Sequence, residues 1–504
     1  MMQIRKADRR TRKRAAIPLS LLALAFNLTA CAPQQRQAAS PVMPVAAIWQ
    51  QPQPQPDPDP DPDPHSSTSA AAATELGWRT YFSDPQLVAL VDTALAQNRD
   101  LRLALLRVQE ARARYGIESA AAFPTVGAGA QGARSRVPGD LSPTGNAVTA
   151  SQYEVSFGVN NWELDLWGRV RSLREAALRD YLATDAASRA ARIALVAEVA
   201  NAYLALREFD ERMALAKESI AGREEALRIF RRRNEVGSAS ALEVTQVETL
   251  LVQARALGAQ LEQARAAQMH ALEQLVGTPL ALAPQTDPRW RDEAVFAPLQ
   301  VGLPASLLSA RPDIAAAEQR LGAASANIAA ARAAFFPQLV LTGSLGSASA
   351  ELDGLFDGGS RAWAFAPSIS VPIFDGGRRR ASLDLAVVRS DMAVAEYERT
   401  IQIAFREVAD ALSARDALGR QVAIARQALD VQVRRARLAQ LRYDSGAAAY
   451  IEVLDAQRDL LSAQQQLVQV RRALLSSHVT LYAALGGGAI DAGQNPAPLA
   501  FIHR

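Results

Sequence analysis

The sequence predicts a membrane α+β protein in which long helices join short spanning strands, in a unit that occurs twice along the chain. Three observations carry this. The string "AAAFPTV" at 120–126 returns as "AAFFPQL" at 333–339, and its surroundings return with it. Two long runs, 170–234 and 378–443, contain no proline. Between each Phe-Pro step and the long run that follows lie stretches whose apolar residues alternate, the period of a strand rather than a helix.

The chain begins with a basic segment, Arg5, Lys6, Arg9, Arg10, Arg12, Lys13 and Arg14, followed by an apolar stretch from Ile17 to Leu28. Those 12 residues are too short to span a bilayer as a helix and suit an export signal. The stretch ends in "LTAC", where small residues precede Cys31, the one cysteine in the chain. This resembles a bacterial lipobox. It implies a signal peptide at 1–30 and acyl chains on Cys31 that anchor the protein by burial in lipid. By the rule for such signals, Ala32 rather than Asp directs the chain to the outer membrane. Residues 31–74 include "QPQPQPDPDPDPDP" and read as a solvated, extended tether, because alternating proline prevents helix and sheet.

Composition excludes several classes of function. A lone cysteine forms no intrachain disulfide or Cys-based zinc site, and the four histidines lack metal-ligand spacing. The net charge of +3 owes much to the first fourteen residues, so it does not signal nucleic acid. Neither "GGG" at 486–488 nor "FDGG" at 374–377 has the strand-to-helix context of a phosphate loop, and no catalytic motif is present. We expect no enzyme, cofactor or metal.

The repeat extends well beyond Phe-Pro. Asp100 lies 24 residues before Pro124, as Asp313 does before Pro337, an offset of 213. Further on the offset becomes 209: Gly168 pairs with Gly377, "EVANA" at 198–202 with "EVADA" at 407–411, Gly237 with Gly446, and Gly277 with Gly486. Such self-similarity marks a tandem duplication. The expected units are 75–277 and 311–488, joined by a connector at 278–310 and followed by a tail at 489–504.

Each unit reads in one order. A helical stretch, 85–122 or 311–335, ends at Pro124 or Pro337, because proline disfavours helix in the residue before it. Two strands follow. The long run is next, helical and on the order of 100 Å at 1.5 Å per residue. A glycine turn leads to a last helix, 240–276 or 449–485. The long runs carry apolar stripes, Leu195, Val196, Val199, Ala202, Tyr203 and Leu206 in one and Ala404, Phe405, Val408, Ala411 and Leu412 in the other. Periodicity alone equally suits a soluble coiled coil.

The strands narrow the choice. In 152–160, Tyr153, Val155, Phe157 and Val159 alternate with polar or small residues, and in 363–373 so do Trp363, Phe365, Ile369, Val371 and Ile373. The partner runs, 125–135 and 338–346, are weaker. Alternating runs with aromatics suit strands with a lipid face and a water face, and also an exposed sheet on a soluble core. No apolar run reaches the length of a spanning helix, so an exported chain that spans must do so as a closed barrel. Two strands in each of two units give four, too few to enclose a lumen. Protomers must therefore pool strands: two chains give eight, three give twelve.

Together with "RPDI" at 311–314, "VPIFDGGRRR" at 371–380 and "GAAAYIEVLDAQRDLL" at 446–461, the doubled Phe-Pro entries resemble the TolC/OprM-type outer-membrane efflux family, in its NodT-like lipoprotein branch. The resemblance covers about residues 75–488. It implies a homotrimer with a shared twelve-stranded outer-membrane barrel, continued by a periplasmic helical tunnel. It implies a passive channel for small molecules (drugs, toxic compounds or metal ions) that docks onto a periplasmic adaptor and an inner-membrane resistance-nodulation-division transporter. In such proteins the helix–turn–helix tips form a closed aperture. The matching gate residues here are Tyr443, Glu452 and Asp455, with Glu243 in the place of Glu452 in the first unit. Ala448 stands where the family often has a basic partner, and Arg442 and Arg233 are the candidate substitutes. The tips, Val236, Gly237 and Ser238 with Ser445, Gly446 and Ala447, are the expected adaptor contacts. A type I protein-secretion conduit shares this architecture, and a structural periplasmic coiled-coil lipoprotein is the third reading.

Overall fold

The computed structural model describes residues 71–72, 76–143, 145–282, 295–300 and 306–488. The expected signal peptide, Cys31, the proline-rich run, the expected tail and much of the expected connector lie outside them. The principal elements are α1 (Pro85–Gln97), α2 (Arg99–Ala120), β1 (Val126–Val137), β2 (Val148–Leu164), α3 (Arg169–Glu235), α4 (Ala241–Val276), α5 (Pro312–Ala333), β3 (Gln338–Ser349), β4 (Arg361–Ser370), α6 (Arg378–Asp444) and α7 (Tyr450–Ala484). The order helix, two strands, 67-residue helix, shorter helix occurs twice. Among the described residues no helix is long and apolar enough to cross a membrane.

The chain divides into two compact units. The first comprises Gly116–Ala176 and Ala324–Ser390 and holds the four strands. They form an antiparallel meander in the order β1-β2-β3-β4, which leaves β1 and β4 as edges. The register sorts side chains by chemistry. Ala128, Phe157, Leu345 and Trp363 stand in one cross-strand row, and Val126, Val159, Gly343 and Phe365 in another on the same face. The opposite face carries Gly129, Ser156, Gly346 and Ala362. One face is thus apolar and aromatic, the other small and polar. Phe157, Trp363, Phe365 and Ile369 are all more than 60% exposed.

Strand β2 is longer than its alternation predicts, running seventeen residues rather than nine. At its start Val148–Ser151 pair with Val137–Arg134, and at its end a register shift between Val159 and Trp162 carries the strand on to Leu164. Asn161 takes a positive φ of 57°, and its N–H donates to Thr342 Oγ1 at 3.3 Å. The extra residue of this bulge reverses the parity, so Trp162 and Leu164 continue the apolar face opposite Leu341 and Leu339. Strand β4 is shorter than 363–373, since it stops at Ser370 and leaves Val371 and Ile373 outside; Pro372, which has no N–H to donate, follows at once. At the start of α3, the Trp167 indole donates to Pro337 O at 2.7 Å and stacks on Phe336.

The second unit holds the remaining described residues. The expected helix over 85–122 is two helices, broken at Asn98, whose backbone is extended and whose side chain accepts from Leu101 N–H. Its amide also donates to Leu275 O at 2.8 Å. At the matching offsets, Arg311 precedes α5 and donates to Ala484 O at 3.0 Å. The glycines after α4 and α7 are equally matched. A Cβ on Gly277 would stand 2.6 Å from Gln97 O, and one on Gly486 3.0 Å from Ala310 O, so glycine admits both close approaches.

The expected stripes are core. Val199, Tyr203, Ala404 and Val408 are essentially inaccessible. Tyr203 packs in a cluster with Trp78, Tyr81, Phe82 and Tyr482, where the Tyr81 and Tyr482 rings stack at 4.1 Å. His478, one of the scattered histidines, stacks on Phe296, and burial pushes its pKa down. Ala71–Ala72, at the end of the expected tether, pair in parallel with Leu299–Gln300, so ordered pairing begins inside that segment. Ion pairs tie α3 to its neighbours: Glu208 accepts from Arg472, Glu211 from Arg471, and Asp210 from Arg265.

Candidate functional site at the helix tips

Both long helices end in the same turn. Gly237 and Gly446 have φ of 75° and 74°. A Cβ at either would meet nothing within 4 Å, so the left-handed backbone and not space demands glycine. At the first tip Gly237 N–H donates to Asn234 O and Ser238 N–H to Arg233 O; at the second, Gly446 N–H donates to Tyr443 O and Ala447 N–H to Arg442 O. These paired bonds satisfy carbonyls that the helix end leaves open. Val236, Gly237, Ser238, Ser445, Gly446 and Ala447 are the residues of these two turns. Val236 is 65% exposed.

The helices that leave the turns start differently. Ser240 caps α4: its hydroxyl accepts from Glu243 N–H at 3.2 Å, while the Glu243 carboxylate accepts from Ser240 N–H at 2.7 Å. This is a reciprocal capping box. The bonds from Ser240 hold the Glu243 carboxyl below its ordinary pKa. Ala449 holds the corresponding place before α7 and offers no side-chain bond. Glu452, the third helical residue as Glu243 is, pairs instead with Arg442 at 2.9 Å. Asp455 pairs with Arg458 at 3.1 Å, and Arg458 also reaches Asp459, which Arg435 on α6 holds.

Tyr443 links the two tips. Its hydroxyl accepts from Arg233, which also lies over the Phe230 ring. Its own ring meets Tyr450 edge-on at 4.9 Å, and Tyr450 packs on Phe230 at 4.4 Å. Leu227, Val247, Leu251 and Leu454 close the apolar cluster beneath. Burial raises the Tyr450 pKa. Both arginines named as substitutes for the missing basic partner therefore engage residues of the expected gate: Arg442 engages Glu452, and Arg233 engages Tyr443. The sequence reading missed Tyr450 and Phe230. Two tyrosines on either side of a glycine turn, Tyr443 and Tyr450, were the available signal. Beside the first tip an open groove of about 530 Å³ is lined by Arg228, Arg231, Arg232 and Arg255 with Glu224 and Glu235.

Comparison with known proteins places these features in context. The family model described as outer membrane efflux protein matches residues 90–278 and again 303–487. The chain is similar to the toluene efflux pump outer membrane protein TtgF of Pseudomonas putida, 47% identical over 423 residues, covering 84% of this chain and 87% of that one. It is similar to the outer membrane protein OprJ of Pseudomonas aeruginosa, 42% identical over 479 residues, covering 94% and 97%. Among solved structures, the open state of the Neisseria gonorrhoeae MtrE outer membrane channel superposes with a TM-score of 0.78 at 37% identity, covering 90% of this chain and 98% of that chain.

Proposed function

The chain belongs to the outer membrane efflux protein family, and we propose from that premise that it is the passive outer-membrane channel of a tripartite pump. Three copies pool four strands each into a twelve-stranded barrel, and α3, α4, α6 and α7 line a periplasmic tunnel. An acylated Cys31 adds an anchor in the outer membrane. A periplasmic adaptor grips the tips, and an inner-membrane resistance-nodulation-division transporter supplies the energy. The units 75–277 and 311–488 are products of a tandem duplication, supported by the paired contacts of Asn98 and Arg311. The cargo is small molecules, and the toluene named for a relative is the type of apolar compound we expect.

One observation carries this reading. The sheet has an apolar face, a small polar face and two unpaired edges, and a four-stranded open sheet cannot enclose a path by itself. The test is conductance in a planar bilayer with oligomeric mass in mild detergent. We expect a trimer that conducts. A monomer that passes no current would sink the channel.

For the gate we propose that Tyr443, Glu452 and Asp455 hold the aperture shut, with Glu243 securing the neighbouring tip. Acids repeated by threefold symmetry make a negative ring that favours cations. Glu452→Ala with Asp455→Ala is expected to raise conductance or weaken cation preference. No change in either would remove these two acids from the gate.

A further inference from the structure

The aromatic face of the sheet is not apolar along its whole length. In β1 it holds the even-numbered residues, which pass from Val126, Ala128 and Ala130 to Gly132, Arg134 and Arg136. In β4 it begins at Arg361, which stands in one cross-strand row with Ser347, Val155 and Ala130. Ser151 lies opposite Arg134, Thr149 opposite Arg136, and Gly132, Tyr153 and Ser349 form the row between. The Tyr153 ring lies over Gly132, 3.1 Å from where a Cβ would stand, and so settles against β1 one row from Arg134. All three arginines are exposed. None of them forms a hydrogen bond or ion pair among the described residues.

Their position along the strands is as telling as their face. Arg134 and Arg136 stand eight and ten residues beyond Val126, and Arg361 lies opposite Ser347, nine beyond Gln338. With about 3.4 Å per residue and a strand tilt of about 40° in a barrel, all three reach about 20–26 Å from the Phe-Pro ends. The apolar band of such a barrel is about 25 Å tall, so the guanidinium groups stand at its outer rim, where arginine carries little of its mid-depth penalty. The opposite end of the same face, with Val126, Val159, Trp162, Leu339, Leu341 and Ile369, has no charge. The acids near the rim are elsewhere. Glu154 accepts from Gln131 on the polar face, and Asp140, Glu351, Asp353 and Asp357 lie beyond the strand ends.

Cations confined to one rim of a lipid-facing surface, with no acid on their own face, complement an anion held at that depth. Guanidinium matches the geometry of phosphate with two parallel donors. We propose that Arg134, Arg136 and Arg361 bind the phosphate groups of the phosphorylated glycolipid in the outer leaflet, beside the hydroxyls of Thr149, Ser151 and Tyr153. The acyl chains of that lipid then lie along Phe157, Trp363 and Phe365. This rests on the barrel reading and adds a lipid partner selected by headgroup charge.

The test titrates the full-length protein, delipidated in mild detergent, and counts bound lipid by native mass spectrometry. The probes are bisphosphorylated lipid A, the same lipid stripped of both phosphates, and inorganic phosphate as competitor. We expect the bisphosphorylated lipid to bind and the stripped one to bind on the order of a hundredfold more weakly. Arg134→Gln, Arg136→Gln and Arg361→Gln should each weaken binding about fivefold, and Arg361→Lys should lose less than Arg361→Gln. Conductance should stay the same in every variant. Equal binding of the stripped lipid, or unchanged binding in all three glutamine variants, would overturn the phosphate site. Inorganic phosphate competing as tightly as the lipid binds would make this a site for the free ion and overturn the lipid. A trimer that conducts and binds no glycolipid would overturn the site and leave the barrel standing. A chain that neither assembles nor conducts would take the barrel reading down with it.

Discussion

At the first tip Ser240 and Glu243 close on each other, and the acid is spent on holding the start of α4. At the second tip Ala449 replaces the serine, and the equivalent acid, Glu452, turns to Arg442 across the turn. The turn is the same in both, down to the two carbonyls it satisfies. A single hydroxyl therefore decides whether the third residue of the helix is a cap or an ion-pair partner. The first tip is built to stay wound. The second relies on an exposed ion pair, which contributes at most about 1 kcal/mol. That difference fits the gate proposed above, with a first tip that holds its place and a second that moves.

The largest effect should come from the residue the two tips share. Tyr443→Ala removes the ring packed on Tyr450 and the acceptor for Arg233. For a half-buried aromatic the local cost is about 2 kcal/mol. Hydrogen exchange of peptides covering both turns should accelerate together. Tyr443→Phe keeps the ring and should loosen them far less. If only the second turn responded, Tyr443 would not be the link.

Ser240→Ala comes next. Loss of a capping serine costs about 1 kcal/mol, and the loss should be confined to the first turn of α4. The opposite change sharpens the contrast. Ala449→Ser places a hydroxyl three residues before Glu452 and should recruit it into a capping box, releasing Arg442. We expect slower exchange at the start of α7, by roughly 0.5 kcal/mol, and lower channel conductance if that tip has to move. Conductance unchanged beside slowed exchange would separate the stability of the tip from gating.

Much of this was readable from residue order alone. The doubled Phe-Pro steps, the proline-free runs and the glycine turns placed every long helix within a few residues, because proline and positive-φ glycine act locally. What escaped depended on contacts distant in sequence. Asn98 breaks a helix because its amide reaches Leu275. Asn161 hides the end of β2, 161–164, because a bulge reverses the alternation that reveals strands. At the tips, Glu243 and Glu452 align in the repeat and look alike. Only the residue three places earlier separates them, and the S-x-x-E spelling of Ser240 to Glu243 was there to be read. Arg233 and Tyr443 were each legible as gate candidates, but their bond joins residues 210 apart and only the fold brings them together.

The smallest expected effect is the most specific to the comparison. Hydrogen bonds from the Ser240 backbone and hydroxyl hold the Glu243 carboxyl below its ordinary pKa. A depressed pKa in the folded state adds stability that is full above the unfolded pKa and is lost as pH falls through the folded one. Acidification through and below the ordinary carboxylate range should therefore loosen the first turn of α4. Exchange corrected for its intrinsic pH dependence should show protection there falling as the carboxyl takes up its proton. Ser240→Ala, already without the box, should give a much flatter profile. Because Glu243 is almost fully solvated the change will be small, and its value lies in where it occurs. Equal loosening with and without Ser240 would mean that acid acts elsewhere in the tip, and the capping box would no longer account for the difference between the two turns.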